Sequence, residues 1–230
     1  MARIIEMIAA SIVFSTLAAC TSPPSATGGG GSAPDPAVFL FDGTSTDAWV
    51  MARDGSPCRW EVDAGGAMAV RVGSGSIRTR ESYDDFLLYL EFAVPNNPPE
   101  FTGQARGNSG VYLQDRYEVQ IHDSHGLAAA ENLCGAIYSK AAPLVNAARP
   151  AEEWQSYLIE FTAPRWSAEG TKLANARVSV HHNGVLIHDD FEIDGTTVGG
   201  SPEGPTPGPI LLQDHGDSRV RFRNIWILPR

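Results

Sequence analysis

The middle of the chain places side chains suited to acid–base chemistry together on one predicted strand. Two alternating segments, residues 108–114 and 117–123, predict short antiparallel strands joined by a tight two-residue turn. Because side chains alternate along a strand, Glu118, Gln120 and His122 share one face of the second strand. A carboxylate, an amide and an imidazole in a row do not suit a packing face. This pattern therefore predicts the floor of an open polar cleft.

A second carboxylate lies close enough in the sequence to act with Glu118. Strand positions two residues apart lie about 7 Å from each other on one face, and glycosidases place two carboxyl groups roughly 5–10 Å apart around the bond they cleave. Glu118 and Asp123 meet that requirement if the strand bends near His122, whereas Gln120 cannot titrate and only orients a ligand. A solvated strand face is the plainer interpretation, but the polar neighbours favour a site.

Another polar cluster follows an apolar segment near the C-terminus. Gln213, Asp214 and His215 come directly after residues 209–212 and are followed by a glycine. Because a histidine at a strand end titrates near neutral pH, His215 is a second candidate base. The alternative is a turn that Asp214 caps.

Arginines alternate with other residues along the last predicted strand. Arg219, Arg221 and Arg223 would lie on one face of a sheet. Such a row either contacts sugar hydroxyls or an enolate oxygen, or forms a structural ion-pair ladder. The structural interpretation is favoured for Arg219 and Arg221, and the role of Arg223 stays open.

The histidines do not have the spacing of a metal site. His122, Asp123 and His125 lie close together and His181 and His182 are adjacent, but none of them forms a zinc pattern. No metal site is predicted, although loops rich in Asp and Asn could bind a divalent cation such as calcium through oxygen ligands.

Charge and missing motifs exclude several other functions. The formal net charge is -10 and no basic patch is present, so nucleic acid and anionic lipid are poor candidate partners. Phosphate-binding loops, a Gly-x-Ser-x-Gly elbow and a nucleophilic cysteine pattern are absent from the sequence. Serine-hydrolase and nucleotide chemistry are therefore disfavoured.

Short strands and turns are the elements that must position the candidate residues. The 230-residue chain has Gly 23 and Pro 16, which favour many turns over long helices. Gly65-Gly66 and Asn183-Gly184 predict hairpin turns, and residues 85–94 alternate as a half-buried antiparallel strand does. We predict an all-β fold, a sandwich of two antiparallel sheets packed face to face.

Three segments without strand patterns are long for a compact domain. They are residues 95–107, 123–133 and 194–208. Loops of this length are usually functional or disordered.

The N-terminal region predicts export and lipid anchoring. Residues 1–19 combine a thin positive region with a short apolar run, as a signal peptide does, and end in a lipobox-like sequence before Cys20. Residues 20–36 then form a lipidated cysteine and a flexible linker, and residues 37–230 form the domain. This predicts a bacterial cell-envelope protein, on the periplasmic face or in the outer membrane, that touches the membrane only through its lipid. An ordinary secretory signal with a chance cysteine is the alternative.

The two remaining cysteines suggest one disulfide. An exported protein with a lipidated cysteine and two others favours a bridge between Cys58 and Cys134. Two buried free thiols are the alternative.

A series of short motifs occurs in order along residues 37–228. The motifs include Leu40-Phe41-Asp42-Gly43 with Trp49, Asn108-Ser109-Gly110-Val111-Tyr112, Tyr117-Glu118-Val119-Gln120-Ile121, Cys134-Gly135-Ala136-Ile137-Tyr138, Gln213-Asp214-His215-Gly216 and Phe222-Arg223-Asn224-Ile225-Trp226. This series resembles the 3-keto-disaccharide hydrolase domain family, long known as DUF1080.

The resemblance implies a concanavalin A-like jelly-roll sandwich whose concave sheet holds a sugar. It also implies exported bacterial enzymes, often lipoproteins, that act on glycosides already oxidised at C3. Residues 118–123 are similar as well to the Glu-x-Asp-x-x-Glu strand of laminarinase-type glycosidases on the same fold. Gln120 and Asp123 depart from that pattern, which disfavours an ordinary double displacement.

A 3-keto group offers another route, because it acidifies the C2 hydrogen. A base removes that proton, the enolate expels the C1 substituent, and water adds to the enone, which amounts to hydrolysis. We predict Glu118 or His215 as the base and Asp123 as the acid. The predicted substrate contacts are Asn108, Gln120, Tyr138, Lys140, Trp154, Gln213 and Arg223.

Two other functions compete with this one. A non-catalytic surface carbohydrate-binding module would use aromatic platforms, for which Tyr112, Trp154 and Trp166 are available. A conventional endo-glucanase is disfavoured by Gln120. Replacing Glu118 by Gln would leave the affinity of a binder intact but would remove the rate of an enzyme.

Overall fold

Short strands are the main regular secondary structure of the described part of the chain. The computed structural model describes residues 31–230. The strands are β1 (Val38–Phe41), β2 (Trp49–Met51), β3 (Glu61–Val62), β4 (Met68–Ala69), β5 (Ile77–Thr79), β6 (Phe86–Ala93), β7 (Ser109–Leu113), β8 (Tyr117–Ile121), β9 (Gln155–Thr162), β10 (Arg165–Trp166), β11 (Lys172–Ala174), β12 (Ala176–His182), β13 (Val185–Ile193), β14 (Leu211–Leu212) and β15 (Arg221–Pro229). Within residues 31–230, the only helical element is a 3-10 turn at Gly103–Ala105, and no helix is long and apolar enough to span a membrane.

Two antiparallel sheets form a sandwich. The eight-stranded sheet has the order β13-β12-β9-β6-β15-β4-β3, with β1 also paired to β15, and the five-stranded sheet has the order β2-β5-β14-β7-β8. A small β10–β11 hairpin stands apart from both. The predicted all-β sandwich of two antiparallel sheets is confirmed.

Alternating side chains build the core between the sheets. On β6, the residues Phe86, Leu88, Leu90 and Phe92 are buried in the main apolar cluster, as the sequence pattern predicts. From the other sheet, β8 contributes Tyr117, Val119 and Ile121 to the same cluster. Glu118 and Gln120 therefore lie on the outer face of the five-stranded sheet, since successive strand residues point to opposite faces.

The turn between β7 and β8 is longer than the sequence pattern predicts. Leu113 pairs with Tyr117, so the loop consists of three residues, Gln114 to Arg116, instead of two. Gln114 and Asp115 have φ angles of 55° and 59°, and Arg116 N donates to Leu113 O at 3.0 Å. The extra residue changes which side chain lies opposite each residue of β8.

Part of the predicted linker packs against the eight-stranded sheet. Gly31 O accepts a hydrogen bond from Trp226 Nε1 at 3.1 Å, and Ala33 packs against the Tyr89–Trp226 pair, whose rings stack at 5.3 Å. These contacts lie on the outer face of that sheet. The predicted signal peptide, the lipidation of Cys20 and most of the linker lie outside the described residues.

The predicted disulfide is wrong, because Cys58 and Cys134 are both free thiols. Cys134 is buried in the core with its Sγ 3.2 Å from Tyr157 Oη. Cys58 is half-buried at the start of the domain and packs against the edge of that core. Burial raises the pKa of the Cys134 thiol to about 11 and also raises that of Cys58. The alternative of two free thiols is the correct one.

Candidate functional site

Glu118 is the centre of a buried polar cluster on the outer face of the five-stranded sheet. The β7–β8 register places Tyr112 directly opposite, and its hydroxyl donates to Glu118 Oε2 at 2.9 Å. Gln213 Nε2 in turn donates to the Tyr112 oxygen at 3.2 Å. The other carboxyl oxygen lies over Gly110, where a Cβ atom would collide with it. The glycine therefore makes room for the carboxylate on a crowded strand pair.

Burial makes the Glu118 carboxyl a weaker acid than an exposed glutamate. The side chain is 2% exposed, and desolvation raises its pKa from 4.5 to about 7, although the Tyr112 hydrogen bond acts in the opposite direction. Burial, followed by the Glu118 carboxylate, raises the pKa of Tyr112, so its hydroxyl stays protonated and donates. A carboxyl group that titrates near neutral pH suits general acid–base catalysis.

A long loop covers Glu118 from one side. Within residues 194–208, Thr197 Oγ1 accepts a hydrogen bond from Glu118 N at 2.9 Å, and Val198 O lies 3.3 Å from the Tyr112 hydroxyl. The same loop is held by the buried Arg116 guanidinium, which donates to the carbonyls of two of its residues, Pro202 and Thr206. This long segment thus places its backbone around the carboxylate.

The 3-10 turn covers the other side of the cluster. Gln104 Oε1 accepts hydrogen bonds from Gln120 Nε2 and Asn108 Nδ2, both at 3.1 Å. Asn108 Nδ2 also donates to Gln104 O at 2.7 Å, and His122 Nε2 donates to Gly103 O at 2.9 Å. Burial lowers the pKa of His122, which favours the neutral ring. His122 therefore supports the turn.

The predicted open cleft is a buried site in the structure. Glu118, Gln120 and His122 are all nearly inaccessible to solvent. Their cover is polar, since the covering loop and the 3-10 turn present backbone carbonyls, a hydroxyl and an amide to them. The expectation of an exposed face is wrong, because the sequence pattern indicates which face of a strand is polar but not what packs over it.

Asp123 has a different partner from Glu118. Its Oδ2 accepts hydrogen bonds from Arg106 Nε at 3.1 Å and from the terminal guanidinium nitrogen of the same residue. Asp123 N also donates to Arg106 O at 3.2 Å. The structure therefore places Asp123 in an ion pair that fixes the end of the segment over the site.

His215 lies outside the buried cluster. It is exposed, and its Nδ1 is 3.1 Å from Asp217 Oδ2. Asp214 caps a local turn by accepting a hydrogen bond from Gly216 N at 2.9 Å, and it accepts another from Gly75 N of a distant segment, also at 2.9 Å. Of the predicted Gln-Asp-His cluster, only Gln213 reaches the Glu118–Tyr112 pair.

Tyr138 and Lys140 lie at the edge of the site. Tyr138 N donates to Glu118 O at 3.1 Å, so residues around 138 run beside β8. Lys140 Nζ donates to Asp194 Oδ1 at 2.6 Å, at the start of the covering loop. These residues border the site and hold its cover.

Trp154 and Arg223 are on the opposite outer face of the sandwich. The Arg223 guanidinium carbon lies 4.0 Å from the centre of the Trp154 ring, and its Nε donates to Glu91 Oε2 at 2.7 Å. Glu91 faces away from the core on β6, next to Tyr89. The structure does not bring these two predicted contacts to Glu118.

Several site residues had no clear signal in the sequence. Gln104 and Thr197 lie in long loops without motifs, and no local pattern shows that they reach β8. Gly110 and Tyr112 could have been found by counting back from a three-residue turn, since that register places Tyr112 opposite Glu118. Among the described residues, no group of three or more His, Cys, Asp or Glu is placed to hold a metal ion.

The fold and the site are those of a β-sandwich protein with a buried carboxyl group on the outer face of one sheet. Residues 36–228 match the 3-keto-alpha-glucoside-1,2-lyase-like domain. The chain belongs to this family, the 3-keto-disaccharide hydrolases, as the sequence motifs indicate. None of the curated proteins matches the chain.

Solved structures of similar proteins agree with this assignment. A putative glycosyl hydrolase from Parabacteroides distasonis ATCC 8503, solved at 2.13 Å, is 39% identical, with 86% of this chain and 85% of that chain covered and a TM-score of 0.77. A second protein of the same description and organism, solved at 1.70 Å, is 19% identical over 84% of this chain and 94% of that one, with a TM-score of 0.61. The second similarity shows the fold alone.

Proposed function

We propose that the protein cleaves 3-keto-glycosides by removing the C2 proton, eliminating the C1 substituent and adding water. The observation that carries this proposal is the buried Glu118 carboxyl, which titrates near neutral pH and receives a hydrogen bond from Tyr112. The family match and the similar glycosyl hydrolases support a glycoside as the substrate. A base poised at the operating pH is what proton abstraction next to a ketone requires.

Each step of the reaction conserves atoms and charge. Ionised Glu118 takes the C2 proton, the electron pair of the C–H bond forms a C2–C3 double bond, and the π pair of the ketone moves to its oxygen to give an enolate. When the carbonyl forms again, the C1–O bond breaks and a C1–C2 double bond remains. Water then adds its oxygen to C1 and a proton to C2, so the net result is hydrolysis.

Glu118 suits the role of base better than His215. The buried carboxylate is desolvated and lies among polar groups, whereas the exposed imidazole interacts with Asp217. For the leaving group, Asp123 is engaged in an ion pair with Arg106, which donates two hydrogen bonds to its Oδ2. We therefore assign protonation of the leaving oxygen to Glu118 as well, since this residue carries the C2 proton after the first step.

Paired substrates test the proposal. The purified protein is incubated with a 3-keto-glucoside and with the matching plain glucoside, and released aglycone is measured. We expect only the keto compound to be cleaved, and Glu118→Gln to lower the rate by about 10²–10⁴ because the general base is lost. Glu100→Gln, at an exposed position in the 95–107 segment, serves as the matched control. Equal cleavage of both glucosides would remove the keto-specific mechanism.

The same variant separates catalysis from plain sugar binding. If the protein is a carbohydrate-binding module, Glu118→Gln retains the affinity of the wild type, and neither protein turns the substrate over. If it is an enzyme, binding persists and the rate falls. Calorimetric titration with a substrate analogue, measured beside turnover, distinguishes the two.

Export and lipid anchoring are part of the proposed setting. The sequence up to Cys20 supports a bacterial lipoprotein of the cell envelope, which would meet glycosides outside the cytoplasm. Labelling of cells with a fatty-acid probe tests this, since Cys20→Ala should abolish the label. A labelled Cys20→Ala protein would contradict anchoring at this residue.

A further inference from the structure

Two buried side-chain amides of the polar cluster donate to a single oxygen atom. Asn108 Nδ2 and Gln120 Nε2 each lie 3.1 Å from Gln104 Oε1. Both amides are buried, and Asn108 is fixed further by its backbone N–H, which donates to Ser218 Oγ at 3.1 Å. Two fixed donors that converge on one oxygen are the arrangement that stabilises a developing oxyanion.

The oxygen held between these amides belongs to a side chain outside the sheets. Gln104 is half-buried in the 3-10 turn, and its Nε2 donates to Asn132 O at 2.9 Å. Gly103 and Gly107, on either side of this residue, have φ angles of 54° and 55°. A ligand oxygen can therefore replace Gln104 Oε1 through the rotation of one side chain, while the sheet beneath stays unchanged.

Gln120 carries a second polar atom at the same place. Its Oε1 is buried and has no hydrogen-bond partner in the described part of the chain. A buried acceptor without a partner is costly, so such atoms call for an explanation. The Gln120 amide thus presents a donor and a free acceptor side by side. The complementary pair on a ligand is a carbonyl oxygen next to a hydroxyl group, as in an α-hydroxyketone.

We propose that Asn108 and Gln120 form a binding site for an α-hydroxyketone, and that the Gln104 side-chain oxygen takes the place of the ketone oxygen until such a ligand displaces it. The site deepens and rests on the proposed function, because a 3-keto-glycoside carries a hydroxyl group on each carbon next to its ketone. Gln104 is then a built-in competitor of the substrate.

The position of the clamp, meaning the amides of Asn108 and Gln120, fits proton removal by Glu118. Gln120 follows Glu118 by two residues on one face of β8, a separation of about 7 Å along the strand. A ketone oxygen held by the clamp directs the neighbouring C2–H toward the carboxylate. As Glu118 takes that proton, negative charge develops on the ketone oxygen, where the two amides stabilise it.

A ligand that cannot be cleaved tests the clamp by binding alone. The 3-keto derivative of 1,5-anhydroglucitol has no aglycone at C1, and 1,5-anhydroglucitol itself is the matched compound without the ketone. In titration calorimetry, we expect Gln104→Ala to bind the keto ligand about tenfold tighter, because the ligand no longer displaces a protein oxygen. Gln104→Glu keeps a stronger acceptor in place and should bind it more weakly. Neither change should alter binding of the compound without the ketone.

Loss of a donor from the clamp should weaken binding of the keto ligand instead of strengthening it. Gln120→Glu has nearly the same shape but replaces the amide donor by an acceptor oxygen. Its affinity for the keto ligand should fall at least about tenfold, while the affinity for 1,5-anhydroglucitol should not change. An unchanged affinity for the keto ligand would contradict the assignment of Gln120.

Matched variants keep the test decisive. Thr102→Ala changes an exposed residue beside the same turn that makes no capping hydrogen bond, so keto-ligand affinity should stay at the wild-type value. If thermal unfolding shows that Gln104→Ala does not fold, Gln104→Ser replaces it. The proposal is overturned if the folded variant binds the keto ligand no tighter than wild type, or if both ligands shift equally. A different result would contradict the proposed function, namely a Glu118→Gln variant that still cleaves a 3-keto-glucoside.

Discussion

The burial of Glu118 predicts that its charge destabilises the fold at neutral and alkaline pH. The carboxyl has a pKa of 4.5 when unperturbed and about 7 in the folded protein. Between these values the folded state binds a proton that the unfolded state lacks. The stability that this proton contributes below pH 4.5 is therefore lost as the pH rises through about 7. The difference corresponds to about 3 kcal/mol of unfolding free energy.

Glu118→Gln removes this dependence, because glutamine is neutral at every pH and still accepts the Tyr112 hydrogen bond. Urea unfolding followed by tryptophan fluorescence should give similar free energies for variant and wild type near pH 4.5. At about pH 8, the variant should be more stable by about 3 kcal/mol. Glu100→Gln, at an exposed position, should stay within about 0.5 kcal/mol at both values. A Glu118→Gln variant no more stable than wild type at about pH 8 would refute the desolvation of this carboxylate, and with it the argument for the base.

Three further predictions concern neighbouring residues. Tyr112→Phe removes the hydrogen bond that lowers the pKa of Glu118. In the profile of kcat/KM against pH, the acidic limb should therefore shift to higher pH by about 1–2 units. A shift to lower pH would contradict this. Gly110→Ala puts a methyl group onto the Glu118 carboxylate. It should cost about 1–3 kcal/mol in urea unfolding, and less in a Glu118→Ala background; an equal cost in both would contradict the contact. Mass spectrometry after brief iodoacetamide treatment should find Cys58 modified before the buried Cys134, and a reductant should leave the melting temperature unchanged; a fall would indicate a disulfide.

A neighbouring tyrosine provides the control for Tyr112→Phe. Tyr117 is buried on the same hairpin, but its side chain is in the core and its hydroxyl donates to Glu203 Oε1 at 2.6 Å and not to Glu118. Tyr117→Phe should therefore leave the acidic limb where it is in the wild type. If both variants move the limb equally, the shift reports a general loss of packing and not the contact with Glu118.

The outcome for the β7–β8 hairpin shows how far local patterns reach. Alternation along residues 117–121 was enough to place Glu118 and Gln120 on one face, because side-chain direction in a strand repeats every two residues. The predicted two-residue turn was wrong, and the turn length sets the register. A two-residue turn would have put Leu113 opposite Glu118, whereas the three-residue turn puts Tyr112 there.

Local patterns also could not predict whether the two cysteines pair or which residues share an outer face of the sandwich. Cys58 and Cys134 were paired on grounds of export and number, but each is held by its own packing partners. Arg223 and Trp154 have suitable chemistry for a sugar, yet the sheet order carries them to the face opposite Glu118. Which residues share a face of the sandwich depends on strand order, and strand order comes from contacts between distant segments.

By itself, the sequence determined the sandwich, the polar face of β8 and the family, because strand periodicity, turn residues and ordered motifs are all local properties. Only the tertiary structure decided that Glu118 is buried, that Tyr112 and Thr197 contact it, and that Gln104 covers Gln120. The acidity of a carboxyl depends on how much water its surroundings exclude. Here the excluding groups come from loops far away in the chain, whose paths no periodicity encodes.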